Sequence, residues 1–445
     1  MLSFQNKLSN EKGFIELGNR LFIIGVFFLP SALPISLLFL LVGLVISFYQ
    51  NKLSILKDKF NYSLLISIGI IFFSTLNVAL INKPLALFEL DNFLIWINLL
   101  NWIPIFFIFW GFQIYLKTNR QRLVFAKALL SGTFPVLISI LSHKFLNIYG
   151  PFETLFGSIV WFMKPLDGLN HPVAGLFSNP NYASMWLILA LPFFIFFVYL
   201  KSSSRPKKIL SLFLCLILIY CALLTGSRNA IIGIIISLIF VFGFRTIIFG
   251  VFTFVFVLLN KYLDNFVFDL SFLTNNLFIP ESLISKFQDF NFFTGARFDI
   301  WRTALMRIQE RPFLGWGGGT FSFLHERDIS LSESVYNIVD IQHSHNLPIE
   351  LAHNFGIPLS ILLTLTVMTL IFKTSFILYK KSIYEEINLL DRFWIASVVI
   401  ILINHLTDIT FYDGKISIIL ALLLSGLKCI FDYKSKYKLR KRLMK

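Results

Sequence analysis

Charge is scarce in this 445-residue chain: 14% of its residues are Asp, Glu, Lys or Arg, and only 24 of them are acidic against 39 basic. A soluble domain of that length needs more charge than this to present a solvated exterior. Cysteine is nearly missing too. Cys215, Cys221 and Cys429 form no CxxC and no disulfide framework, which leaves them as small apolar packing residues. No Asp or Glu cluster has the spacing of a catalytic metal site, and no internal repeat suggests the inverted halves of a transporter.

What is abundant is apolar. Hydrophobic residues make up 56% of the chain, 53 residues are Phe, and the mean hydropathy is +0.76. A hydrocarbon core about 30 Å thick takes about 20 apolar residues per helix. Divided at that length, the sequence predicts an all-α polytopic membrane protein with about twelve spans: near 15–30, 32–49, 62–81, 93–116, 123–142, 181–200, 209–226, 228–244, 246–260, 357–379, 393–411 and 415–431. Pro30 and Pro34 mark either a hairpin between the first two spans or a kink in one longer helix. The first apolar run lacks a small-x-small cleavage site and reads as a span, not a leader.

A net charge of +15 would suggest nucleic acid in a soluble protein. Here the placement of the charges decides. Lys and Arg crowd 117–127, 201–208 and the tail from Lys428, whereas the short outer loops hold only Lys83, Lys144, Lys164, Arg228 and Lys415. The positive-inside rule then puts both termini in the cytoplasm. The tail "KSKYKLRKRLMK" reads as an anchor on anionic lipid and not as a nucleic-acid arm. The organisation expected is spans one to nine over 1–260, a long outer loop with an amphipathic helix over 261–346, a short or re-entrant helix and the last three spans over 347–431, and a basic tail over 432–445. A second outer segment runs from His143 to Pro180.

Three places break the apolar pattern. In "CALLTGSRNAIIGIIISLIF" (221–240) Arg228 is the lone charge between Lys208 and Arg245. An Arg at mid-bilayer costs about 3 kcal/mol or more on insertion scales. Thr225, Gly226 and Ser227 are turn and cap residues, so a helical hairpin with Arg228 at its outer tip is the economical structure. Snorkelling would also relieve the cost, but a lone cation on the outer face opposes the positive-inside bias and calls for a negative partner. Guanidinium suits bidentate contact with phosphate.

The second place is "TGARFDIWRTALMRIQERPFLGWGGGTF" (294–321). Phe298, Trp301, Leu305 and Ile308 recur at three- and four-residue steps, which predicts a helix lying along the membrane surface, apolar side down, until Pro312 stops it. Arg297 is a second candidate for the anion at Arg228. Arg302, Arg307 and Arg311 follow it, and four arginines along one helix could equally be a solvated face. The glycines at 315, 317, 318 and 319 lack the Lys-Ser/Thr of a P-loop and read as a flexible turn, one able to bring backbone N–H groups to a ligand.

The third is "DIQHSHNLPIELAHNFGIPLS" (340–360). Asn346 is a good N-cap with Pro348 in the first turn, so His345 sits at the mouth of a short helix ending near Gly356 and Pro358. An imidazole there is the natural proton acceptor near neutrality. His343 and His353 are its neighbours. A metal site of His343, His345, His353 and Glu350 is the competing reading, resting on HxH alone.

The stretches "LTGSRNAIIG", "GARFDIW", Pro312 to Phe321 and "HSHNLPIELAHNFGIP", with "GLFSNPNYASMWL" (175–187) before them, together resemble the O-antigen ligase and polymerase-like superfamily over about 170–360. The resemblance implies a GT-C-like membrane enzyme. It would act at the outer face of the bacterial inner membrane on an undecaprenyl-diphosphate-linked glycan, without metal or cofactor. Arg228 and Arg297 would bind the diphosphate and His345 would act at the acceptor, with His343, Asn346 and Arg302 as further substrate contacts. The acceptor, whether lipid A core, another lipid-linked glycan or a protein, is left open, as is the oligomeric state. A more distant relative class is associated with bicarbonate transport, so a small-anion transporter with Arg228 as its binding charge is the alternative. It predicts more polar residues and broken helices at mid-depth than the sequence has. A scaffold subunit is a third reading, and it leaves the Arg and His on one face unexplained.

Overall fold

The computed structural model describes residues 2–50, 54–84, 87–166, 171–200, 203–243, 280, 283, 296–331, 341–379 and 386–443. The ninth expected span, near 246–260, lies outside the described residues, as do 261–279 and 332–340 of the expected outer loop.

The chain begins with an antiparallel helical hairpin, α1 (Leu2–Phe28) and α2 (Leu33–Gln50). Pro30 lies in the turn between them and Pro34 in the first turn of α2, which settles the hairpin against the kinked helix. Small residues let the backbones approach closely. Ser36, Leu40, Gly43 and Ser47 form one buried stripe of α2, and Ser36 Oγ donates to Gly25 O at 2.7 Å.

Next come α3 (Phe60–Leu76), prolonged by a wide turn at Asn77–Ile81, and α4 (Asn92–Ile97), which runs on into α5 (Leu99–Gly111). The long α6 (Asn119–Phe145) starts at a capping box in which Thr118 and Gln121 satisfy each other's backbone N–H. An antiparallel ribbon of β1 (Phe152–Thr154) and β2 (Ile159–Trp161) follows, the one pair of strands among the described residues of an otherwise helical chain. Leu155, Phe156 and Gly157 all take positive φ at its tip, a tight reversal that hydropathy does not register. Then come α7 (Pro180–Tyr199), α8 (Arg205–Leu224), α9 (Arg228–Phe242), α10 (Ala296–Glu310), α11 (Phe321–Leu331), α12 (Leu347–Phe355), α13 (Ile357–Tyr379), α14 (Glu386–Asn404) and α15 (Gly414–Leu443).

Among the described residues eight helices are long and apolar enough to cross a membrane, and the apolar part of α9, Arg228–Phe240, is shorter. The molecule is a mostly helical polytopic membrane protein. Helices α1 and α14 fall outside those eight; α1 carries Glu11, Lys12, Glu16 and Arg20 along its length. The centre of the bundle is α7 packed against α8, α14 and α9, with Trp186 and Trp394 fully buried. Ser397 Oγ donates to Leu189 O at 2.8 Å and Trp394 Nε1 to Leu423 O at 2.7 Å, so the central helices are hydrogen-bonded as well as packed.

Polar groups collect at the two ends of the bundle. At one end Arg122 pairs with Asp391 at 3.0 Å, Lys434 approaches the same carboxylate at 3.4 Å, and Lys428 meets Asp58 and Asp432. The opposite end carries α10, α11, α12 and the turn between α14 and α15. Helix α10 presents two apolar faces. Ile300 and Ala304 pack with Phe321 and Ile341 and Ile308 is buried as well, while Phe298 and Leu305 are exposed. The buried stripe is set by the protein surface beneath the helix, which no local period encodes.

The glycine turn is likewise a docked element and not a flexible one. Trp316 N and Gly317 N donate to His353 O and Asn354 O at 2.9 Å each, so those N–H groups are spent within the protein. A side chain at Gly315 would collide with the backbone of 353–355, and Gly318 and Gly319 lie against Asn98. Arg307 pairs with Asp328, and both Arg307 and Arg311 lie over the Trp316 ring.

Candidate functional site

At the α8–α9 turn Gly226 takes φ +61°, and Ser227 leads extended backbone into α9. Arg228 is thereby the first residue of α9, half-buried and with no hydrogen-bond partner among the described residues. Burial, and after it the charge of a second arginine, lower its pKa. Arg297, in the first turn of α10, is close enough to repel it. Two neighbouring guanidinium groups, of which Arg297 alone has a carboxylate in reach among the described residues, have the chemistry that suits an anion with several oxygens.

A single carboxylate ties Arg297 to the histidine. Asp408, in the turn after α14, is 4% exposed. Its Oδ1 lies 2.9 Å from His345 Nδ1 and its Oδ2 lies 3.8 Å from the Arg297 guanidinium. Burial alone would raise the Asp408 pKa, but the hydrogen bond from His345 and the positive charge of Arg297 outweigh it and hold the carboxyl below its ordinary value. An ionised Asp408 accepts from Nδ1–H, which fixes the tautomer of His345 and leaves Nε2 with a free lone pair. No described residue hydrogen-bonds that nitrogen.

The backbone around His345 is held from both sides. His345 itself takes φ +54°, a conformation that costs a non-glycine residue roughly 1 kcal/mol. Behind it, Asn346 caps α12 by accepting from Ile349 N at 3.1 Å, and its Nδ2 donates to Leu406 O at 2.9 Å. Leu347 N donates to His405 O at 2.8 Å, so the start of α12 is latched to the turn carrying Asp408. In front, Glu350 is 1% exposed and accepts from Ser344 N at 2.9 Å, from Tyr412 OH at 2.8 Å and from Asn354 Nδ2 at 3.2 Å. Burial and the adjacent carboxylate push the Tyr412 phenol well above its ordinary value, so it stays a donor.

His343 packs edge-on to His345 with ring centres 4.5 Å apart and stacks on Tyr412. Burial, reinforced by the charge of His345, lowers its pKa and keeps it neutral. The α9 side is joined to the same turn by Thr407 Oγ1, which donates to Asn229 Oδ1 at 3.3 Å.

Arg228, Arg297, His343, His345 and Asn346 thus gather around one turn at one end of the bundle. Arg302 does not share their setting. It is exposed, five residues beyond Arg297 and therefore about 140° around the helix axis. Of the ligands in the metal reading, Glu350 has both oxygens engaged by the protein, and His353 is buried against Phe321 with Nδ1 on Asn354 Oδ1. Among the described residues no group of three or more His, Cys, Asp or Glu could hold a metal ion.

Asp408, the hub, escaped the sequence reading because hydropathy ran the eleventh span on to residue 411. The structure ends α14 at Asn404. A carboxylate inside an apolar segment was the available signal, since such groups rarely sit there without a partner.

Residues 212–364 match the family model described as O-Antigen ligase. The matched segment holds Arg228, Arg297, His343, His345 and Asn346 and ends before Asp408. No curated protein matches the chain.

Proposed function

We propose that this chain, which carries the O-antigen ligase family domain over residues 212–364, is a metal-independent glycosyltransferase of surface polysaccharide synthesis using an undecaprenyl-diphosphate-linked glycan as donor. The end of the bundle with Arg228 and His345 is then extracytoplasmic, and the end with Arg122, Lys428 and the basic tail is cytoplasmic, in the sense of the positive-inside rule. The observation that carries this reading is the linked set His345–Asp408–Arg297 beside an unpaired Arg228. The family match lends no support to the anion-transport alternative.

The chemistry follows from that arrangement. The acceptor sugar hydroxyl attacks the anomeric carbon of the donor while the bond from that carbon to the diphosphate oxygen breaks. The hydroxyl proton passes to His345 Nε2, and the electron pair of the broken bond leaves on undecaprenyl diphosphate. Negative charge grows on the leaving group in the transition state, where Arg228 and Arg297 already stand. The imidazolium formed on His345 is stabilised by Asp408, and general-base help of this kind is worth roughly 10² to 10⁴ in rate.

The test is transfer by the full chain in vesicles carrying the lipid-linked donor and an acceptor. Arg228→Ala and His345→Ala each abolish glycan transfer while the protein still inserts. Wild-type product profiles from both variants sink the reading.

A further inference from the structure

The segment leading into α7, "GLFSNPNYASMWL" (175–187), supplies neither the cations nor the imidazole, yet it is fastened on both sides. Val173 N donates to Leu224 O at 3.1 Å, beside the turn that presents Arg228. Lys415 Nζ, at the start of α15, donates to Leu176 O at 3.2 Å and lies 4.3 Å from the Phe177 ring centre. Asn179 accepts from Asn181 N at 2.8 Å and caps α7. What this clamp holds in place is Tyr182, in the first turn of α7.

Helices α7 and α14 run antiparallel: Leu189 O meets Ser397 Oγ, Phe193 packs on Trp394 and Phe196 on Phe393. From 397 on to 404, and from 189 back to 182, is a rise of about 10 Å on each helix. Tyr182 is thus level with Asn404, where the turn carrying Asp408 begins. It is half-buried and near enough to Asp408 and Asp413 to feel both charges. Its hydroxyl makes no hydrogen bond among the described residues.

Both carboxylates have an oxygen to offer. Asp408 Oδ2 is buried with no hydrogen-bond partner and has only the longer contact with Arg297 at 3.8 Å. A buried oxygen of this kind is costly unless a ligand meets it. Asp413 Oδ1 caps α15 by accepting from Lys415 N at 2.9 Å and Ile416 N at 3.3 Å, which leaves Oδ2 without a hydrogen bond among the described residues. Two carboxylates repel an anion, and hydrocarbon would leave them and the Tyr182 hydroxyl unmet. A ring bearing several hydroxyls satisfies all three, since each hydroxyl both donates and accepts. The same turn also lines an apolar cavity of about 440 Å³, but through His405, Leu406 and Phe411; Tyr182, Asp408 and Asp413 take no part in it.

The place of that ring follows from the reaction. With the diphosphate on Arg228 and Arg297 and the acceptor hydroxyl at His345 Nε2, the anomeric carbon lies between them, beside the carboxylate that contacts both Arg297 and His345. The sugar joined to that carbon then reaches toward Tyr182 and Asp413. We propose that Tyr182, Asp413 and Asp408 Oδ2 form the subsite for the first sugar of the donor, in which Tyr182 and Asp413 select the sugar by hydroxyls remote from the reacting carbon. This rests on the glycan-transfer reading and adds to it the residues that choose among donors. A sugar hydroxyl also accepts from an amide, so Asp408→Asn retains its contact and selection falls to the other two.

The test uses the full chain in phosphatidylethanolamine and phosphatidylglycerol vesicles. The probes are undecaprenyl diphosphate bearing a hexose or an N-acetylhexosamine, the same donors lacking one ring hydroxyl at a time, and sugar-free undecaprenyl diphosphate as inhibitor. Tyr182→Phe lowers kcat/KM for the donor about tenfold and leaves the Ki of undecaprenyl diphosphate and the acceptor KM within about twofold. One deoxy donor loses about tenfold on wild type and nothing further on Tyr182→Phe, which pairs that hydroxyl with Tyr182. Asp413→Ser keeps a capping oxygen for α15 and shows the same pattern with a different hydroxyl. A Ki that rises as far as the donor kcat/KM falls assigns Tyr182 to the diphosphate or to folding and overturns the proposal. A rise in the acceptor KM alone gives the ring to the acceptor and overturns it too. Transfer indifferent to both variants sinks the proposal alone, whereas no transfer by wild type sinks the glycan-transfer reading and the subsite with it.

Discussion

Asp408→Asn tests the site at its hub. The substitution keeps the shape of a side chain that is 4% exposed and removes its charge, 2.9 Å from His345 Nδ1 and 3.8 Å from Arg297. A hydrogen bond to an ionised partner contributes about 1.5–3 kcal/mol, and the charge gained by His345 in the transition state makes the upper half of that range the relevant one. A loss of about 2–3 kcal/mol is roughly a 30- to 150-fold fall in kcat. The donor side moves the other way. Without Asp408 the charge on Arg297 is no longer partly neutralised, so the KM for the diphosphate-linked donor stays level or falls. The assay is steady-state transfer in vesicles at pH 7, with the donor and acceptor varied separately. An unchanged kcat, or a donor KM that rises as steeply as kcat falls, refutes the assignment of Asp408 to His345.

Arg228→Lys retains charge but not the bidentate fork; it loses roughly 10-fold in kcat/KM for the donor and Arg228→Ala roughly 100-fold or more, read in the same assay. Glu350→Ala leaves Ser344 N and the Tyr412 hydroxyl without their buried acceptor, at about 1–3 kcal/mol each, and hydrogen exchange over 341–346 rises together with a loss of kcat. Gly356→Ala is destabilising by more than about 1 kcal/mol, since Gly356 has φ +93° and a side chain there meets Phe313 O; a lowered melting temperature is the readout. Because Asp408 is held below its ordinary pKa, its contribution to stability is fully present above about pH 4 and is lost as pH falls through the folded value. Melting curves between pH 5 and 3 therefore fall more steeply for wild type than for Asp408→Asn.

Much of this was legible in the sequence because the physics behind it is local or compositional. Runs of about 20 apolar residues place spans wherever the chain runs, and the helix bounds of α3, α7, α8 and α13 follow the hydropathy within a few residues. Capping is local as well, so Asn346 and Pro348 mark the start of α12 from sequence alone. Arg228 and His345 drew notice because a cation or an imidazole at the end of an apolar run has no bland explanation in its immediate neighbourhood. The failures are equally physical. Asp408 was absorbed into a span by window averaging, and the partner that explains it, His345, is 63 positions away. The second apolar face of α10, Ile300 and Ala304, is buried by Phe321 and Ile341 and by nothing local to the helix. The β1–β2 ribbon was missed since its strands are only three residues long.

The sequence by itself determined that this chain lives in a bilayer, which end of each span carries the charge, and that an arginine and a histidine stand at helix mouths on one side. Only the tertiary structure decided that Asp408 joins them, that Glu350 and Tyr412 brace the backbone between them, and that an apolar cavity lies under the same turn. Hydropathy and capping are properties of consecutive residues, whereas the contacts of Asp408 with His345 and Arg297 and the cavity exist only where segments far apart in the chain are packed against one another.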